Sequence, residues 1–345
     1  MYIYQSQLSE SGDGIQSRPM ILRPSTRYYY RLPDRYAHHL RDATISGLGE
    51  TLGCVDLKNS PPGYTIYCPI DLGIGLAPTR SGGIPCVHPI SGKGGFSCVH
   101  PITGIFVPQN YKMKSAVDLI VYLHGFKDVF PGNEASIVNY WDGKKFPFFA
   151  LREGVNDSGK NVVLVAPTLG PKSQAGSLVK PGGFDAFLDE VVAALNQHVP
   201  FSTSAPGKIA NIANIILACH SGGGAPMLQI ATGSDKQVAK VKQCWGFDSL
   251  NSGKTQTGQK LFTQPDAWLK WAQRTTSELF IFFKDSTQAE SVYLDKKVKS
   301  GRVTNIHVTQ SSATSTRTPK ADAHFWVPLV HWKASIQNAT FLSNR

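Results

Sequence analysis

Ser221, Asp248 or Asp285, and His324 are residues whose types and order could work as one catalytic unit. A serine hydroxyl is a weak nucleophile at neutral pH and needs an imidazole to take its proton. The imidazole in turn needs a carboxylate to fix its tautomer and stabilise its cation. Together they would perform acyl transfer. Ser221 lies in Asn214-Ile215-Ile216-Leu217-Ala218-Cys219-His220-Ser221-Gly222-Gly223-Gly224-Ala225-Pro226-Met227. An apolar, β-branched run ends there at a cluster of small residues, and a helix-forming segment follows. The reading is strand, sharp turn, helix, with the serine at the corner. The pattern G-x-S-x-G places small residues two positions to either side of such a serine. Gly223 satisfies it downstream, and Cys219, small but not glycine, stands upstream. A serine also caps helices, so the weight of the reading rests on its companions.

The expected base is His324, in the polar-to-aromatic segment His324-Phe325-Trp326-Val327-Pro328. His331 competes, but Pro328-Leu329-Val330-His331-Trp332 reads as the start of a final helix that carries it away. His220 adjoins the serine and should point into the surroundings of the turn. For the acid, Asp248 closes one strand in Gly246-Phe247-Asp248-Ser249-Leu250, and Asp285 closes another in Phe283-Lys284-Asp285-Ser286-Thr287. Spacing alone leaves both open. The one not used would be a turn or cap residue.

These residues need a scaffold that gathers them. Val117 to Leu123 is a buried strand by its length and β-branching, and it ends in His124-Gly125-Phe126. Asn161 to Pro167, Asn211 to Cys219, Val241 to Phe247, Glu278 to Lys284 and Arg302 to Thr309 read as further strands. Phe184 to His198 carries apolar residues at helical spacing, and Gln264 to Arg274 reads as helix. Strands alternating with helices imply a parallel sheet covered on both faces, with ligands at the carboxyl ends of the strands. Gly125, Ser221, Asp248 and Asp285 fall at such ends, and His324 lies in the loop beyond the last strand. The Gly- and Pro-rich stretch Leu169 to Gly183 has the length of a lid or substrate loop, and a plain surface loop is equally allowed.

From about Ile105 onward the sequence resembles the α/β-hydrolase superfamily. The strand with His124-Gly125-Phe126 resembles its oxyanion loop, Cys219-His220-Ser221-Gly222-Gly223 resembles its nucleophile elbow, and the order Ser, Asp, His is the one expected of it. Within the superfamily the chain resembles esterase-like proteins with an HSGGG-type elbow. The resemblance implies an α/β-hydrolase fold, a mostly parallel central sheet with helices on both faces, over residues 101–345. An irregular or β-rich N-terminal extension, residues 1–100, would precede it. It further implies Ser221 as nucleophile, His324 as base, and the backbone N–H groups of Gly222 and Phe126 as oxyanion donors. His124 would anchor the oxyanion loop. The acid would come from the loop after the penultimate strand, Asp285, or one strand earlier, Asp248. Phe247-Asp248-Ser249-Leu250 resembles a motif of the esterase-like relatives and favours Asp248. The implied reaction is hydrolysis of a carboxylic ester, small or polymeric, without metal or organic cofactor. Peptide or amide hydrolysis, or ligand binding without hydrolysis, are the alternatives on such a fold.

The first hundred residues carry little periodic pattern. Cys86-Val87-His88-Pro89-Ile90-Ser91-Gly92 recurs as Cys98-Val99-His100-Pro101-Ile102-Thr103-Gly104. Two Cys and two His could hold Zn²⁺, but C-x-H is not a usual ligand spacing. A duplicated pair of strands, bridged by Cys86 and Cys98, is favoured. With Cys54 and Cys68 these four cysteines would allow two disulfides in an exported protein, in three pairings. Adjacent His38 and His39 read as surface residues. Over the 345 residues, 41% hydrophobic and 17% charged side chains exclude disorder of the whole chain. The net charge of +11 is spread along the chain, and no nucleic-acid motif accompanies it, so a solvated surface is expected. No run approaches the ~20 apolar residues of a membrane span. The start Met1-Tyr2-Ile3-Tyr4 lacks a basic region followed by an apolar one, and no signal peptide is expected in this sequence.

Overall fold

The apolar runs form the strands of one sheet. In the computed structural model, which describes residues 63–70, 72–74, 102–126, 137, 150–170, 172–198, 211–254, 260–314 and 323–345, eight strands pair in a row. They are β1 (Gly63–Pro69), β2 (Ile102–Pro108), β3 (Ala116–Leu123), β4 (Val163–Pro167), β5 (Asn211–His220), β6 (Val241–Phe247), β7 (Glu278–Phe283) and β8 (Ile306–Gln310). Their lateral order is β1-β2-β4-β3-β5-β6-β7-β8. The pairs β1/β2 and β2/β4 are antiparallel, and every later pair is parallel. This is the mostly parallel α/β sheet that the alternation of strands and helices predicts.

Helices cover both faces, and the period-2 alternation of the strands decides which side chain meets which helix. On β3, Leu119, Val121 and Leu123 join a core with Phe184, Leu188, Met227, Trp268 and Leu294. These come from α2 (Gly183–His198), α3 (Gly224–Ala231), α4 (Thr263–Ala272) and α5 (Gln288–Gly301). Ile120 and Tyr122 join the opposite core, with Leu151, Val155, Trp332 and Ile336 from α1 (Leu151–Asp157) and α6 (Val327–Asn338). A strand buried on both faces has no polar alternation, which is why β3 reads as a continuous apolar run.

The order also fixes where a ligand can enter. From β3 the chain crosses to β4 on one side, then returns to β5 on the other. Such a reversal opens a crevice at the carboxyl ends of the strands. The ends of β3 and β5 carry His124 to Phe126 and Ser221.

Three features differ from the sequence reading. The last strand begins at Ile306 rather than Arg302, because Arg302 takes a left-handed conformation (φ 50°) as the C-cap of α5. Residues from the far side of position 100 enter the main sheet: β1 pairs with β2 along its whole length, and the Arg152 guanidinium donates to Thr65 Oγ1 at 3.1 Å. The stretch 169–183 is anchored, not a free surface loop, with Leu169, Ser173, Ala175 and Leu178 buried and the Ser177 N–H on the Leu72 carbonyl at 2.6 Å. The histidine pair 38–39, Cys54 and the repeat up to position 101 lie outside the described residues, and the last three residues of the repeat, 102–104, open β2. Among the described residues no helix is long and apolar enough to cross a membrane.

Candidate active site

β5 ends in extended backbone at His220, and the next residue, Ser221, turns to φ 52°. A left-handed conformation costs an L-residue roughly 1–2 kcal/mol, so the surroundings must hold it. One 3-10 turn, Ser221–Gly223, leads into α3. The close approach of backbones explains the glycines that follow the serine. A Cβ on Gly223 would stand 2.2 Å from the Leu123 carbonyl oxygen, and one on Gly224 would stand 2.1 Å from that of Ser249. The Asn251 amide ties the turn down, donating to the carbonyls of Ser221 (3.1 Å) and Ser249 (3.2 Å). Cys219 fits upstream because its register partner on β6 is Gly246. Burial pushes its thiol up to about 12, against a smaller opposing effect of the Ser249 hydroxyl, so it stays neutral.

Asp248 is the first residue past β6 and is fully buried, with φ 45°. Its own N–H bonds the Phe282 carbonyl at 2.7 Å, which locks the turn to β7. Four donors converge on its carboxylate: His324 Nδ1 at 2.6 Å, the Lys284 N–H at 3.0 Å, and the hydroxyls of Ser286 and Thr287. Burial alone would raise this carboxyl. The hydrogen bonds outweigh it and hold it at about 2. An ionised carboxylate can only accept, so His324 Nδ1 carries the proton of this bond.

His324 sits on the turn Ala323–Trp326, directly before α6. Its ring is held on three sides. The Ser286 hydroxyl oxygen is 2.9 Å from Nδ1, the Phe325 ring meets it edge-on at 5.2 Å, and the His220 ring lies against it at 4.4 Å. His220 donates from Nε2 to the His324 carbonyl at 3.1 Å. Burial first, then the neighbouring His324, pushes His220 well below the ordinary imidazole range. It is a neutral support.

His124, at the end of β3, is fully buried. The Leu169 N–H donates to its Nε2 at 2.7 Å, so Nδ1 bears the hydrogen and donates to the Gly125 carbonyl at 2.7 Å. Burial pushes the ring down to about 4, more strongly than these two bonds raise it. In a trans peptide the C=O and N–H point opposite ways. Pinning the Gly125 carbonyl therefore turns the Phe126 N–H to the other side. The loop meets the Ser221 turn directly. A Cβ on Gly125 would stand 2.8 Å from Ser221 Cβ, and the half-exposed Phe126 ring lies on Gly222.

The structure thus brings Ser221, Gly222, Phe126, Asp248 and His324 to one end of the sheet and gathers His220 and His124 behind them. It leaves Asp285 exposed at the start of the turn Asp285–Thr287. β6 is the immediate neighbour of β5, while β7 is one strand spacing, about 4.8 Å, further out. His331 lies on α6, stacked on Phe282 at 4.3 Å and 2.9 Å from the Ser311 hydroxyl, as a helix beyond Pro328 requires. Sequence reasoning missed Ser286 and Thr287 as partners of Asp248. Their signal was two hydroxyl residues directly after a strand-end aspartate. It also missed Ser173 and Asn251.

No family model matches the chain, and no curated protein matches it. Among solved structures the chain is similar to FphF, a fluorophosphonate-binding serine hydrolase of Staphylococcus aureus. The identity is 12%, with 80% of this chain and 98% of that chain covered at a TM-score of 0.42. It is also similar to an S-formylglutathione hydrolase from Agrobacterium tumefaciens (12% identity, 82% and 98% covered, TM-score 0.44). A third is the CE1 ferulic acid esterase of the anaerobic fungus Anaeromyces mucronatus (13% identity, 82% and 99% covered, TM-score 0.37).

Proposed function

We propose that the chain is a serine hydrolase that cleaves a carboxylic ester through an acyl-enzyme. The observation that carries this reading is the 2.6 Å bond from His324 Nδ1 to a fully buried Asp248 at the end of the strand beside Ser221. With Nδ1–H held by the carboxylate, His324 Nε2 takes the Ser221 proton as Oγ attacks the ester carbonyl. The oxyanion forms against the backbone N–H groups of Gly222 and Phe126, each such donor being worth about 3 kcal/mol of barrier. His324 returns the proton to the departing alkoxide, leaving the acyl group on Ser221. Water then enters, loses its proton to Nε2 and attacks the acyl carbonyl; Ser221 Oγ leaves and regains that proton. Asp248 stays ionised throughout and stabilises the imidazolium. Apart from the attacking water, the catalytic groups are all supplied by this chain.

The test is to treat the protein and a Ser221→Ala variant with a fluorophosphonate probe and to assay both on short-chain p-nitrophenyl esters. Labelling and turnover present in the wild type and absent from the variant support the reading. A folded wild type that neither labels nor turns over favours a binding protein on this fold.

A further inference from the structure

We propose that Ser173 is a positioning residue of the oxyanion hole, acting through the carbonyl of His124; the inference rests on the serine-hydrolase reading above. Ser173 is 4% exposed and takes φ 56°. Glycine would adopt that backbone without strain. What serine adds is a hydroxyl, which donates to the His124 carbonyl at 3.0 Å.

That bond closes a clamp. Gly170, Ser173 and Gln174 bond one another, with Ser173 N–H on the Gly170 carbonyl and Gly170 N–H on the Gln174 carbonyl, both at 2.8 Å. The Gln174 side chain also accepts from Lys172 N–H at 2.8 Å. Leu169, directly before this loop, donates its N–H to His124 Nε2 at 2.7 Å. One loop therefore grips His124 twice, on the imidazole through Leu169 and on the backbone through Ser173. The imidazole passes the restraint on, holding the Gly125 carbonyl at 2.7 Å. Both successive peptides, 124–125 and 125–126, are fixed by carbonyl bonds, and the second carries the Phe126 N–H. Ser173 Oγ also lies 2.9 Å from where a Cβ on Gly222 would stand, so the hydroxyl sits beside the other donor as well.

An oxyanion donor acts within a few tenths of an ångström, and misplacement by about 1 Å costs about 100-fold in rate. Losing the Ser173 hydroxyl frees the 124–125 peptide to rotate, and the Phe126 N–H moves with it. The interaction lost is one made with the oxyanion of the transition state, so kcat carries the effect and KM does not.

The experiment compares full-length wild type with Ser173→Gly, which removes the hydroxyl and relieves the backbone, and with Ser173→Ala. Turnover of p-nitrophenyl acetate is normalised to active sites titrated with the fluorophosphonate probe, and phenylboronic acid serves as a tetrahedral mimic. The expected result for Ser173→Gly is a kcat lower by about 10- to 100-fold. KM should stay within about twofold, phenylboronic acid should weaken in parallel with kcat, and the melting temperature should hold. Unchanged kcat per titrated site, with or without a lower melting temperature, overturns the assignment and leaves a structural serine. Should Ser173→Gly fail to fold, the same criteria apply to Ser173→Ala. A wild type that neither labels nor hydrolyses overturns the serine-hydrolase reading itself, and the assignment with it.

Discussion

Ser221 and Asp248 each stand one residue beyond His220 and Phe247, the last register pair of two adjacent parallel strands, and both take positive φ, 52° and 45°. Strand register sets their relative height, and the shared backbone turn sends both chains off the sheet at the same level. His324 bonds the second of them, its Nδ1 standing 2.6 Å from the Asp248 carboxylate. The Asp248 turn is secured by its N–H on Phe282 and the Ser221 turn by Asn251 on its carbonyl.

The two aspartates are separable by mutation. Asp248→Asn leaves the shape intact but turns a pure acceptor into a group that no longer holds Nδ1–H, so kcat on a p-nitrophenyl ester should fall about 10³- to 10⁴-fold. Asp285→Asn, at an exposed position, should stay within about twofold of wild type. A large loss at Asp285 with little at Asp248 would reverse their roles.

Ser286 tests how Asp248 is held. Its hydroxyl donates to Asp248 and lies 2.9 Å from His324 Nδ1. Ser286→Ala should lower kcat by about 10-fold, the loss of one charge-assisted bond worth about 1.5 kcal/mol. The acidic limb of the kcat/KM profile and the melting temperature check it.

Acid should weaken the fold in two windows. His124 sits at about 4 against an ordinary 6.5. The unfolded chain therefore binds the extra proton first, and stability is full above pH 6.5 and falls as the pH drops toward 4, by about 3 kcal/mol. His220, also depressed, adds loss of the same sign from pH 6.5 downward. Asp248 sits at about 2 against 3.8, so its contribution of about 2 kcal/mol is full above pH 3.8 and is lost as the pH falls toward 2. Urea midpoints measured against pH should show a shallower slope between pH 6.5 and 4 in His124→Gln, and below pH 4 in Asp248→Asn. A variant that keeps the wild-type slope in its window contradicts the assignment.

The glycines that follow Ser221 allow no side chain. In Gly223→Ala the new methyl would meet the Leu123 carbonyl at 2.2 Å, a backbone atom that cannot swing aside. Destabilisation of about 2–3 kcal/mol or more is expected, read as a lower melting temperature together with loss of probe labelling.

Cys219 and Cys244 should be inert in the native state. Both are fully buried, and burial raises both thiols far from thiolate formation. Iodoacetamide followed by peptide mapping should find neither modified until denaturant is added. Modification of Cys219 in the folded protein would show that the end of β5 opens.

Local chemistry made much of this protein legible in its sequence. Apolar runs without alternation marked β3 and β5 as central strands, because a strand covered on both faces has no polar side to display. Small residues after Ser221 marked the corner, because two backbones meet there. Pro328 announced the helix that removes His331. What the sequence left open was lateral. Asp248 and Asp285 both end strands, and only the order β5-β6-β7 puts the first beside Ser221 and the second one strand away. The hydroxyls of Ser286 and Thr287, and the loop that grips His124 through Leu169 and Ser173, reach their partners across 38, 39, 45 and 49 residues of chain. Periodicity reports the nearest turns and the next side chain on a face. It carries nothing about a hydrogen bond between distant strand ends, which exists only once the sheet has set its order and register.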